Sequence, residues 1–161
     1  MESDIASRAR AHLRRGVAFG LLASVVATGA AGGGPLRAQA GEAFAGRLSR
    51  MPVDRATSPS ISGGGEVRAT LAGSELAIVT TFAGMSSPAM AAHLHRAPVA
   101  RPGPVAFTLE VPAAAAGRIE ESLTLTDAQI EVLRDGRYYL QIHTENNPGG
   151  ELRGWLLPSR P

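Results

Sequence analysis

The chain has no cysteine and no lysine, and its aromatic residues amount to four Phe, two Tyr and one Trp among 161 positions. Without cysteine there is no disulfide framework, no thiolate metal site and no lipid-modified cysteine of the bacterial lipoprotein kind. Without lysine there is no P-loop amine and no Schiff base. The G-x-S-x-G elbow of serine hydrolases, the H-E-x-x-H of metalloproteases and the dinucleotide fingerprint are missing too. Glu120 and Glu121 are adjacent on an expected strand and so face opposite ways, which spoils them as an acid/base couple. No catalytic residue is assigned.

An excess of positive charge is also lacking over most of the chain, despite a net charge of +2. Five of the 16 arginines and two of the 14 acids fall within the first 40 residues, leaving 11 arginines against 12 acids in residues 41–161. That balance offers no basic groove for nucleic acid and no polybasic membrane patch. The first 40 residues read as an export signal. Arg8, Arg10, Arg14 and Arg15 precede the apolar stretch "VAFGLLASVVATGAA", and "RAQA" ends in a small-x-small cleavage pattern. Cleavage is expected after Ala40. Residues 41–161 then form one periplasmic or secreted domain with no stable membrane anchor. The Arg14-Arg15 pair raises twin-arginine export, which the following "GVAFG" matches poorly.

What is present from residue 41 onward is the punctuation of β structure: short apolar runs bounded by Gly, Pro, Ser and Asp. Eight strands are predicted, over residues 43–50, 66–72, 75–82, 91–96, 104–111, 118–125, 137–143 and 151–157. Gly73-Ser74 suits a tight hairpin, and residues 51–65 form the longest loop. One stretch, "TDAQIEVLRDG" (126–136), breaks the pattern. Thr126 with Gln129 makes a capping box, Ile130 and Leu133 share a face, and Gly136 closes a short helix. Asn147-Pro148-Gly149-Gly150 should reverse the chain and pair 137–143 with 151–157. Gly154 allows a close backbone approach. The fold class expected is all-β, an antiparallel Greek-key sandwich or flattened barrel of about eight strands with one short connecting helix.

The succession "AAHLHRAP", "PGPVAFTLE", "LTDAQIEVLRDGRYYLQIHT" and "NPGGELRGWL" resembles the CHRD domain family, named for chordin and found in exported bacterial proteins. The resemblance runs from about Phe44 to Leu157 and implies an all-β fold. Animal proteins with this domain are extracellular and multidomain, which implies a non-enzymatic role in binding an unknown protein partner. For that role "FAGMSSPAM" would offer Phe82, Met85 and Met90, residues for which core packing is the preferred reading. Where the family often has a small turn after its H-x-H motif, this chain has Arg96, Pro98 and Arg101.

Three histidines remain after the leader, and they fall in two motifs. His93 and His95 share one strand face, roughly 6.5–7 Å apart. His143 lies on the face that carries Tyr139 and Gln141. Three neutral imidazoles without thiolate or clustered carboxylates suit one copper or zinc ion. Water, Glu145 or Met90 could complete the coordination. The set is similar to a pared-down copper site of the copper-zinc superoxide dismutases, themselves Greek-key proteins, which adds a copper oxidoreductase to the readings. The alternative for the histidines is a solvated strand face. Glu145, Glu151 and Arg153 are candidates to orient the ligands, with a surface ion pair as the plainer reading of Glu151 and a staple to a loop carbonyl as that of Arg153.

Overall fold

The structure, a computed structural model, describes residues 41–51 and 55–159. The leader expected over residues 1–40 and its cleavage after Ala40 lie outside the described residues. The elements are β1 (Glu42–Arg50), β2 (Gly64–Ala72), β3 (Glu75–Ala83), β4 (Ala89–Arg96), β5 (Val105–Leu109), β6 (Gly117–Thr124), α1 (Asp127–Arg134), β7 (Tyr138–Thr144), β8 (Leu152–Trp155) and β9 (Leu157–Pro158). Alternation explains the strands directly. In β2, Val67, Ala69 and Leu71 are buried while Glu66, Arg68 and Thr70 are exposed, and in β3 Leu76, Ile78 and Phe82 turn inward in the same rhythm.

Every strand pairing is antiparallel, in the order β5-β4-β7-β8-β1-β2-β3-β6. The sheet curls into a nearly closed barrel with one short helix, as the alternation predicts. β1 is the seam between its halves. Glu42 to Leu48 pair with β2, whereas Ser49 and Arg50 pair with Arg153 and Leu152 of β8. β3, β4, β5 and β6 run as a Greek key, because β6 returns to lie beside β3. Gly73 takes φ +62 in the β2–β3 hairpin. The capping box of α1 forms between Thr126 and Gln129, and Ile130, Val132 and Leu133 bury the inner face of the helix.

Two strands differ from expectation. β5 is shorter than 104–111 because Pro104 has no N–H to give and the Glu110 N–H donates to the Glu121 side chain at 2.8 Å. The strand expected over 151–157 divides at Leu156: β8 pairs with β7 and β9 pairs with β1. Gly154 makes that crossing possible, since a Cβ there would stand 2.5 Å from the Arg47 carbonyl oxygen.

Leu94, Leu140, Ile142 and Leu152 are fully buried and form the inner side of β4, β7 and β8. The residues that alternate with them in each strand face the opposite side. β7 is buried on both faces, with Tyr138 and Tyr139 each at 1% exposure. Something must therefore cover its outer face.

Candidate metal centre

The cover consists of the β4–β5 loop, residues 97–104, and the β7–β8 turn, residues 145–151. Both are anchored by side chains of the outer face. The Trp155 indole N–H donates to the Ala97 carbonyl at 3.4 Å, the Gly103 N–H donates to the Tyr139 hydroxyl at 3.2 Å, and Gln141 Nε2 donates to the Gly149 carbonyl at 3.0 Å. Gly103 admits no other residue: a Cβ would lie 2.0 Å from the Arg96 carbonyl oxygen. The loop turns tightly at Pro98–Arg101, with Ala100 at φ +65. Arg96 and Arg101 are exposed at its edge.

Strand register brings the histidines together. His93 sits opposite Gln141, His95 opposite Tyr139 and Ala91 opposite His143. His143 is thus the diagonal neighbour of His93, and the small Ala91 across from it leaves room for the ring to lean that way. His93 Nδ1 and His143 Nε2 are 3.1 Å apart. The ring centroids of His93 lie 4.9 Å from His143 and 5.7 Å from His95. One ligand atom from each of the three lies within 4.8 Å of the others. A tetrahedral ion with nitrogens about 2.0–2.1 Å away separates them by about 3.3 Å. One pair, joined by a hydrogen bond from His93 Nδ1–H to His143 Nε2, is already near that spacing, and the third nitrogen lies within 4.8 Å.

Backbone carbonyls settle which nitrogens face the centre. A carbonyl only accepts, so His95 Nδ1–H donates to Gly103 (2.9 Å) and His143 Nδ1–H donates to Pro148 (2.8 Å). Both Nε2 atoms keep their lone pairs. His95 Nε2 is buried and has no hydrogen-bond partner, an arrangement that native interiors avoid unless the atom has a use. Tyr139 stacks on the His95 ring, with centroids 4.7 Å and planes 3° apart, and fixes its plane.

Electrostatics favour the neutral form of His93 and His95. Burial, then the imidazoles of His143 and His95, push the His93 pKa down. Burial lowers that of His95 as well, against a raising contribution from the Gly103 carbonyl, with His143 and Arg153 adding to the decrease. Neutral imidazole is the form that binds a metal.

The remaining candidates divide. Glu145 is exposed at the turn and is not among the clustered groups. Phe82 and Met85 are buried in the core, whereas Met90 is 62% exposed, so the three do not form one exposed patch. Arg153 does not reach a loop carbonyl. Its Nε donates to Gln141 Oε1 at 2.9 Å and its guanidinium lies over Tyr139 and Trp155, 4.7 and 5.8 Å from their centroids.

Glu151 overturns the surface ion-pair reading. It is fully buried and has no cationic partner among the described residues. Its carboxylate accepts from the Ser62 N–H (2.9 Å), the Ser86 N–H (2.7 Å), the Ser86 hydroxyl (2.9 Å), the Thr144 hydroxyl (2.6 Å) and Asn147 Nδ2 (3.1 Å). Burial pushes its pKa up, but the donors from Thr144, Ser62 and Ser86 outweigh that and hold it below the ordinary value. None of its hydrogen bonds goes to a histidine. Sequence reasoning missed Gln141 and the carbonyls of Gly103 and Pro148 as parts of the centre. Gln141 was detectable by its shared face with His143, but backbone carbonyls leave no side-chain signal.

Searches of curated proteins and of solved structures each returned no significant match. Among the described residues no helix is long and apolar enough to cross a membrane. The family model of the CHRD domain matches residues 48–156, which takes in all three histidines and both covering loops. By that match the chain belongs to the CHRD domain family.

Proposed function

We propose that this CHRD domain binds one copper or zinc ion through His93 Nδ1, His95 Nε2 and His143 Nε2, and that the protein does so after export and removal of residues 1–40. The observation that carries the reading is the buried His95 Nε2, left without a partner, with one nitrogen from each of His93, His95 and His143 within 4.8 Å of the others; an ion there would displace the proton that His93 Nδ1 donates to His143 Nε2. The donor set of neutral nitrogens fits copper and zinc and fits hard oxygen-seeking cations poorly. The carbonyls on His95 and His143 do what outer partners of metal-bound histidines do, fixing tautomer and ring orientation.

Metal stoichiometry of the purified protein, stripped, reloaded with copper or zinc and dialysed, tests the reading beside a His93→Ala/His95→Ala variant. One ion per parent chain and none per variant chain is expected. Equal retention in both, or none in either, sinks it. Intact mass of the same sample, recovered from the extracytoplasmic fraction, tests cleavage after Ala40. Three protein ligands leave a fourth position open, which a catalytic metal requires. Superoxide consumption by the copper-loaded form decides whether the site is also an oxidoreductase.

A further inference from the structure

Gln141 stands between the histidines and Arg153 and is 3% exposed. Its two amide ends are assigned by their partners. Arg153 Nε only donates, so the atom facing it at 2.9 Å is the amide oxygen; the Gly149 carbonyl only accepts, so the atom facing it at 3.0 Å is the nitrogen. That nitrogen has a second hydrogen. It lies 3.4 Å from His143 Nε2.

We infer that Gln141 presents this second N–H to a small anion bound at the open position of the metal ion, an inference that rests on the metal site proposed above. An ion on His143 Nε2 takes the lone pair next to Gln141 and leaves a buried N–H without its acceptor, which is costly. A ligand in the fourth position sits about 3.3 Å from that same nitrogen, within reach of the amide. An anion suits the position better than water for two reasons. Three neutral imidazoles leave the ion's charge uncompensated. Arg153, which forms no ion pair among the described residues, draws on the amide oxygen and strengthens the N–H as a donor. Gln141 thereby selects for the charge of the ligand.

Azide is the probe. The copper-loaded protein is titrated with azide and the charge-transfer absorption followed, in the parent and in Gln141→Met, which keeps the volume and removes the N–H. Copper content, measured first, tests the metal reading by itself: a parent without copper overturns that reading and this one together. With one copper per chain in both, the azide dissociation constant should rise about tenfold in Gln141→Met, the worth of one hydrogen bond to a charged ligand. An unchanged constant overturns the role of Gln141 and leaves the metal site standing. Arg153→Met keeps the amide and removes its polarising partner, so a rise of about two- to threefold is expected. Should Gln141→Met fail to fold, an unchanged constant in Arg153→Met overturns the inference.

Discussion

The β7–β8 hairpin carries two polar clusters built on opposite plans. At its turn, Glu151 is a buried charge whose oxygens are satisfied by donors from Ser62, Ser86, Thr144 and Asn147. On its outer face His143 meets His93 and His95 of the neighbouring β4, two imidazoles whose pKa values burial lowers, and His95 keeps a buried nitrogen with nothing to bind. The saturated cluster joins the β1–β2 loop, the β3–β4 loop and the β7–β8 turn. The other ties β4 and β7 to the Gly103 and Pro148 carbonyls of the covering loops and leaves the lone pair of His95 Nε2 unused. A buried polar group with all its partners reads as structure; one denied a partner calls for an explanation, and for His95 Nε2 the neighbouring imidazoles supply a candidate.

Removing each cluster should separate them most sharply. Glu151→Ala strands several buried donors at about 1–3 kcal/mol each. Thermal unfolding should show a loss of at least about 3 kcal/mol, whereas the metal-free His93→Ala/His95→Ala variant should stay within about 1 kcal/mol of the parent. Comparable losses would erase the contrast. Adding metal should then reverse the ranking: at a free concentration about 100 times the dissociation constant, the parent and Glu151→Gln both gain about 2.7 kcal/mol, and the double histidine variant gains nothing.

Acid should dismantle the clusters in separate steps. The folded-state pKa values of His93 and His95 are lowered, so the unfolded chain binds more protons below its ordinary value near 6.5. The metal-free protein is therefore fully stable above about pH 6.5 with respect to these groups, and loses stability as pH falls toward their folded values. Glu151 is also lowered, from about 4.5, so its contribution is complete above that pH and lost as pH falls toward its folded value. Denaturant midpoints against pH should show two declines. The double histidine variant should lack the upper one and Glu151→Gln the lower one. The smallest effect is expected from Ser86→Ala, which withdraws one hydroxyl while the Ser86 N–H stays bonded. A loss of about 1 kcal/mol by chemical denaturation would show the carboxylate to be held by many modest bonds.

The same contrast governs how far a sequence can be read. Alternation alone puts His93 with His95 and His143 with Gln141, because side-chain direction in a strand is local. It cannot show that β4 lies beside β7, nor that Ala91 faces His143, because register depends on the whole sheet. Glu151 is misread for a related reason. Next to Pro148-Gly149-Gly150 an acid looks like a turn at the surface, and the residues that bury it, Ser62 and Ser86, come from loops 89 and 65 positions away. The helix is the opposite case: Thr126, Gln129, Ile130 and Leu133 are close neighbours, and the expected cap forms.

The seam at β1 has a consequence for the order of assembly. Its last residues pair with Leu152 and Arg153, and its early ones with Leu157 and Pro158, about a hundred positions downstream. No local event can close such a sheet, so folding belongs to the slow, topology-limited regime of milliseconds to seconds. β1 waits for the far end of the domain, and β4 waits for β7 before its two histidines meet the third. A newly made chain therefore keeps its barrel open until nearly all of it is free.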